Sequence, residues 1–182
     1  MKSMLTHFNI DNSDKYANTL RGDTDMENGN FMTRKTRDRI LAEIQNREDI
    51  KPEISTRIGD ARLQGGLEEN EELLMALDDL QRIDMELSRY NEMLQDAQII
   101  QPLSPGRKKK VVIGTTVSIM NIKTKAEFTY TILGVHDSDP NIGIISFKSP
   151  MGQELLSREV GDEIEVNDSY YEITKIVVKK LQ

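Results

Sequence analysis

Between Leu73 and Leu94 an apolar residue recurs at alternating steps of three and four: Leu73, Ala76, Leu80, Ile83, Leu87, Tyr90 and Leu94. In an α-helix that spacing gathers all of these side chains into one stripe, and a second helix must cover the stripe. The cover lies just upstream, where Ile40, Ile44, Ile54, Ile58 and Ala61 also share a helical face. Gly65-Gly66 separates the two runs. Paired glycines end helices and turn the chain readily, so the runs should fold back as an antiparallel hairpin. The second arm is predicted over Leu67–Asp96, a rod ~45 Å long at ~1.5 Å per residue. A hairpin of that length has no core besides its own seam and must protrude. Pro52 lies inside the first run. It lacks a backbone donor and crowds the preceding turn, which predicts a kink or break around Asp49–Lys51 and a separate helix from Ile54 to Leu63.

Charge is divided between the arms. Leu67 to Asp96 holds ten acidic residues against two basic, whereas Thr33 to Gln64 holds eight basic against six acidic. Attraction between the arms favours antiparallel pairing, but exposed pairs contribute little each, so the apolar seam must supply most of the stability. The whole chain carries a formal charge of −7, which argues against binding duplex nucleic acid through broad phosphate neutralisation; direct sequence-specific DNA binding is not expected. It suits an acidic element that meets a metal or a basic partner surface.

After the linker Gln101–Lys110 (QPLSPGRKKK) the periodicity changes to that of strands. VVIGTTVSI, AEFTYTILGVH, IGIISFKS, EIEV and YYEITKIVV are β-rich runs separated by turn residues at Asp137–Asn141 and Val160–Asp162. Met151–Ser157 reads as a short helix. The fold class is therefore α+β. Residues 1–31 form a polar extension without periodicity, 32–100 the hairpin, 101–110 the linker, and 111–182 a compact domain with a mostly antiparallel sheet. Cysteine is absent, which excludes disulfides and thiolate metal sites and fits a cytoplasmic location. The two histidines, His7 and His136, are too far apart in sequence to suggest a metal cluster. No apolar run approaches the ~20 residues of a membrane span.

The turn itself reads DARLQGGLEENEELL. It closely resembles the tip of the Gre transcript-cleavage factors, whose pattern is approximately A-R-x-H-G-D-L-x-E-N-x-E-Y. The resemblance runs from Met32-Thr33 through Lys51-Pro52-Glu53 to Ala61-Arg62, and on from Leu67 to DAQII. It resumes in VVIGTTVSIMNIKT, ISFKSPMGQELLSREVGDEI and YYEITKI, and so covers about residues 32–180. It implies a hairpin that enters the secondary channel of bacterial RNA polymerase and an FKBP-like C-terminal domain that grips the channel rim. It also implies an acidic tip that shares a Mg²⁺ with the polymerase and assists cleavage at the end of a backtracked nascent RNA. A second hard cation held by carboxylates stabilises charge in an in-line phosphoryl displacement. On this resemblance the chain is an accessory factor without an independent active site.

Residue by residue, Gly65, Leu67, Asn70 and Glu72 match the family's tip residues, and Glu69 matches its catalytic Glu. Gly66 stands where the family has its catalytic Asp, Gln64 where it has His, and Leu73 where it has Tyr. Glycine has no side chain to ligate a metal, so one of the two carboxylates is missing from its place. Glu68 is adjacent and could substitute only from a different part of the turn. Arg57 and Arg62 on the basic arm are candidate contacts for RNA or polymerase, or else partners of the acidic arm. Ser149-Pro150 resembles the loop that touches the polymerase rim, and is equally a common turn. Four functional readings follow: a channel-binding regulator with weak or no cleavage stimulation, an active cleavage factor using Glu69 with Glu68, an FKBP-like prolyl isomerase, and a coiled-coil adaptor unrelated to polymerase. The isomerase reading finds few aromatics to line a site (Phe128, Tyr130, Phe147, Tyr170 and Tyr171), and strand cores account for most of them.

Overall fold

A computed structural model describes residues 29–64, 70–103 and 110–178. Nearly all of the stretch read as an N-terminal extension, residues 1–28, lies outside the described residues, as do 65–69 of the turn and 104–109 of the linker. The described chain begins with a short strand β1 (Asn30–Met32), followed by helix α1 (Arg34–Gln64) and helix α2 (Glu71–Leu94). Strand β2 (Ala97–Ile99) then returns beside β1 in parallel, pairing Asn30 with Ala97 and Met32 with Ile99.

The two helices form the antiparallel hairpin that the seam requires. Ile54, Ile58 and Ala61 of α1 pack with Leu73, Ala76 and Ile83 of α2, and Leu77, Leu80 and Leu87 lie against them. This core is separate from that of the C-terminal half. Near the turn two alanines alternate with Leu73 and Ile58 in the seam. Ala61 and Ala76 are both essentially inaccessible, so the arms approach closely there.

The expected break at Pro52 does not occur. Residues 34–64 form one continuous helix with Pro52 inside it. Its missing donor costs one helical hydrogen bond, and cross-arm contacts on both sides of the proline hold the rod together. Between Ile44 and Ile54 the seam positions fall at Arg47 and Lys51. Arg47 reaches across to Glu86 (2.8 Å) and Lys51 to Asp84 (2.6 Å). Beyond the proline, Arg57 pairs with Asp79 (3.1 Å). Arg47 also pairs with Glu43 on its own helix and lies over the Tyr90 ring, 5.8 Å from its centroid. The second arm is shorter than its periodicity predicts. It starts after the cap residue Asn70 rather than at Leu67 and ends at Leu94, with Asp96 already in a left-handed conformation (φ 53°).

The C-terminal half is a five-stranded sheet in the order β5-β4-β3-β7-β6: β3 (Thr115–Asn121), β4 (Glu127–Leu133), β5 (Ile144–Ser146), β6 (Glu163–Val166) and β7 (Ser169–Val178). Three pairings are antiparallel; β4 and β5 run parallel, so the sheet is mixed. The crossover between them uses two 3₁₀ turns, Val135–Asp137 and Pro140–Ile142. A six-residue helix α3 (Pro150–Leu155) follows β5, a little shorter than Met151–Ser157 suggested. Val117, Ile119, Ile132, Leu155 and Ile173 are fully buried at its centre.

Two segments assigned by sequence to other regions belong to this core. Phe31 stands edge-on to Phe147 (centroids 5.6 Å apart), and Ile100 is buried in the same cluster. The hairpin is thus rooted through both of its flanking strands.

Candidate functional site

At the far end of the rod the two arms are closed by one side chain. The Asn70 carbonyl oxygen accepts from the Leu73 backbone N–H (3.0 Å), which caps α2. Its amide donates to the Ala61 carbonyl on the other arm (2.6 Å). The cap satisfies one of the donors that every helix leaves open at its start. The second bond ties the last turn of α1 to the first turn of α2. Asparagine is suited to the position because it carries an acceptor and a donor on one short side chain. Five residues, 65–69, lie between the end of α1 at Gln64 and Asn70.

The candidate site residues Gly65, Gly66, Leu67, Glu68 and Glu69 are these five and lie outside the described residues. Glu71 and Glu72 are exposed in the first turn of α2. Negative charge is favoured at a helix N-terminus, where unpaired backbone N–H groups point outward. Among the described residues no group of three or more acidic or histidine side chains is arranged to hold a metal ion.

The basic candidates separate. Arg57 is engaged with Asp79, which in turn holds Arg82 of its own helix. Arg62 is exposed in the last turn of α1. Ser149 caps α3: its hydroxyl accepts from the Gly152 N–H (3.1 Å) and donates to the Ser146 carbonyl (2.6 Å). Pro150 follows at the first helical position, exposed, where its lack of an N–H is harmless. Ser149 and Pro150 are in the C-terminal half, whereas Arg57, Arg62 and Asn70 cluster at the tip, with α1 (~46 Å at ~1.5 Å per residue) between its root and that end.

Sequence reasoning missed the seam cations. Arg47 and Lys51 occupy heptad positions, and continuing the three-four count through them would have found them. The Glu86 carboxyl is held below its ordinary range, first by the hydrogen bond from Arg47; desolvation opposes this, and the charge of Arg47 adds to the lowering. On the outward face of the acidic arm, Leu74, Met75 and Met85 are large apolar side chains exposed to solvent.

Comparison with known proteins agrees in both halves. A family model described as "Transcription elongation factor, N-terminal" matches residues 30–99, and one described as "Transcription elongation factor, GreA/GreB, C-term" matches 106–178. The transcription elongation factor GreA of Helicobacter hepaticus is 32% identical over 155 residues, covering 82% of this chain and 94% of that protein. GreA of Nitratiruptor is 35% identical over 141 residues, covering 78% and 86%. The crystal structure of GreA factor homolog 1 from Thermus thermophilus covers 81% of this chain and 97% of its own. Its TM-score of 0.36 at 17% identity is too low to bear on the fold. Matched in both halves, in order and over most of its length, this chain belongs to the GreA/GreB family of transcription elongation factors.

Proposed function

We propose that the hairpin enters the secondary channel of bacterial RNA polymerase and regulates elongation there with little or no stimulation of transcript cleavage. The observation behind this reading is Gly66, which stands in the tip sequence where the family resemblance requires a carboxylate. Mg²⁺ would supply Lewis acidity at the phosphate under attack, and a site for it needs hard oxygen donors. At the matched positions this chain offers Glu69 alone. That donor set does not fit a two-carboxylate site.

What remains is steric and electrostatic. A thin acidic rod with its own core can occupy a channel. The exposed Leu74, Met75 and Met85 supply apolar surface for a channel wall, and Arg62 a cation near the tip. Ser149-Pro150 is the proposed contact of the C-terminal domain with the polymerase rim. A cytoplasmic location accompanies a polymerase partner.

The competing reading keeps cleavage alive through Glu69 with Glu68. Single-turnover cleavage in backtracked complexes distinguishes the two. The proposal expects cleavage near the factor-free rate, competition with an active Gre factor for polymerase, and a gain of cleavage in Gly66→Asp. Fast cleavage by the unaltered chain, abolished in Glu69→Ala, would overturn it in favour of the alternative.

A further inference from the structure

We infer that Asp137 is a positioning residue that sets the direction in which the hairpin leaves the C-terminal domain. Thr33 is the single residue between β1 and α1. Its backbone N–H donates to both carboxylate oxygens of Asp137 (3.2 and 3.0 Å), and its hydroxyl donates to one of them (2.6 Å). The same hydroxyl accepts from the Thr36 N–H (3.2 Å), so the cap of α1 is itself held by the carboxylate. Hydrogen bonds to an ionised acceptor are shorter and stronger than neutral ones, and three on one carboxylate define a direction. Further up, the Arg39 guanidinium donates to the His136 carbonyl (3.2 Å), from the same 3₁₀ turn.

Among the described residues, every hydrogen bond between Thr33–Leu94 and the C-terminal domain comes from His136 or Asp137. The other root has none. The end of α2 is tied to β1, where the Asn30 amide donates to the Met93 and Gln95 carbonyls (2.9 Å each), and the chain then turns through Asp96. The 3₁₀ turn is fixed in its place because Gly134 lies directly under the Phe31 carbonyl, where any Cβ would collide.

The lever is long. With α1 ~46 Å from root to tip, a 10° swing at Thr33 displaces the tip by about 8 Å. The consequence for polymerase rests on the function proposed above; the aiming itself does not.

Because the chain has no cysteine, two engineered cysteines can carry spin labels without background. Gln81→Cys on α2 and Lys123→Cys in the β3–β4 turn are both exposed. In the full-length protein the pair should give one narrow distance distribution. Asp137→Ala should broaden it or move its mean by about 3 Å, the displacement of a 10° swing at Gln81, which lies ~20 Å along α2 from its root at Leu94, with helical circular dichroism unchanged. Asp137→Asn, which keeps one accepting oxygen, should fall between. If Asp137→Ala fails to fold, Thr33→Val removes only the hydroxyl bonds and should broaden the distribution less. An unchanged distribution in Asp137→Ala, or in Thr33→Val where that variant replaces it, overturns the inference. In a second arm, the same variants should compete less well than the unaltered chain with an active Gre factor for core polymerase. Broadening with undiminished competition removes the role in delivery. Failure of the unaltered chain to bind polymerase removes the proposed function and leaves the distance measurement to decide the aim.

Discussion

Replacing Asn70 by alanine isolates what closes the tip. The native side chain makes two bonds, one to the Leu73 N–H at 3.0 Å and one to the Ala61 carbonyl at 2.6 Å. Loss of an N-cap costs ~1 kcal/mol. Loss of the partly buried bond to Ala61 costs ~1 kcal/mol more. Asn70→Ala should therefore destabilise the hairpin by about 2 kcal/mol. Serine provides the control. It caps as well as asparagine but has no amide to reach Ala61, so Asn70→Ser should cost ~1 kcal/mol. Urea titration followed by circular dichroism at 222 nm reads mainly the hairpin, because α1 and α2 contribute 31 and 24 helical residues against six in α3. Should Asn70→Ala fall within ~0.5 kcal/mol of wild type, or Asn70→Ser cost as much as alanine, the two-bond closure is wrong. Asn70→Ala should also weaken competition for polymerase, since the five residues bearing the acidic groups lose their fixed ends.

Pro52→Ala should stabilise the hairpin by up to ~3 kcal/mol, seen as a higher denaturation midpoint, because it restores a donor inside a helix that is already continuous. Glu86, with its carboxyl held below the ordinary range, contributes stability that is complete above the unfolded value of ~4.3 and is lost as pH falls through its lower folded value. Thermal melts of Glu86→Gln should consequently lose part of the acid-side slope seen in wild type, and an identical slope counts against the pairing with Arg47. Gly134→Ala drives a methyl into the Phe31 carbonyl and should destabilise by at least ~1–3 kcal/mol. In that variant, hydrogen exchange at Asn30–Met32 should accelerate, since β1 is the element displaced.

How much was legible in the sequence follows from the range of each interaction. The seam from Leu73 to Leu94 and the face from Ile40 to Ala61 specify a hairpin because helical spacing is local and an apolar stripe needs a cover. Period-two runs likewise located the strands of the C-terminal half, and tip residues could be named by resemblance. Pro52 was misread because propensity speaks only of its own helix; Arg47–Glu86, Lys51–Asp84 and Arg57–Asp79 come from the other arm and override it. The parallel partner of β4 was not legible, since strand direction depends on the path of the crossover.

The sequence by itself determined that there would be a rod, that its second arm would be acidic, and that position 66 would bring no carboxylate to the turn. Only the tertiary structure decided how the rod is mounted. Phe31 and Ile100 join a core assembled mainly from residues after Lys110, and Thr33 meets Asp137 across 104 positions of chain. Contacts so distant carry no periodicity and no local signature. They exist only once the sheet has formed and brought the 3₁₀ turn to the foot of the helix.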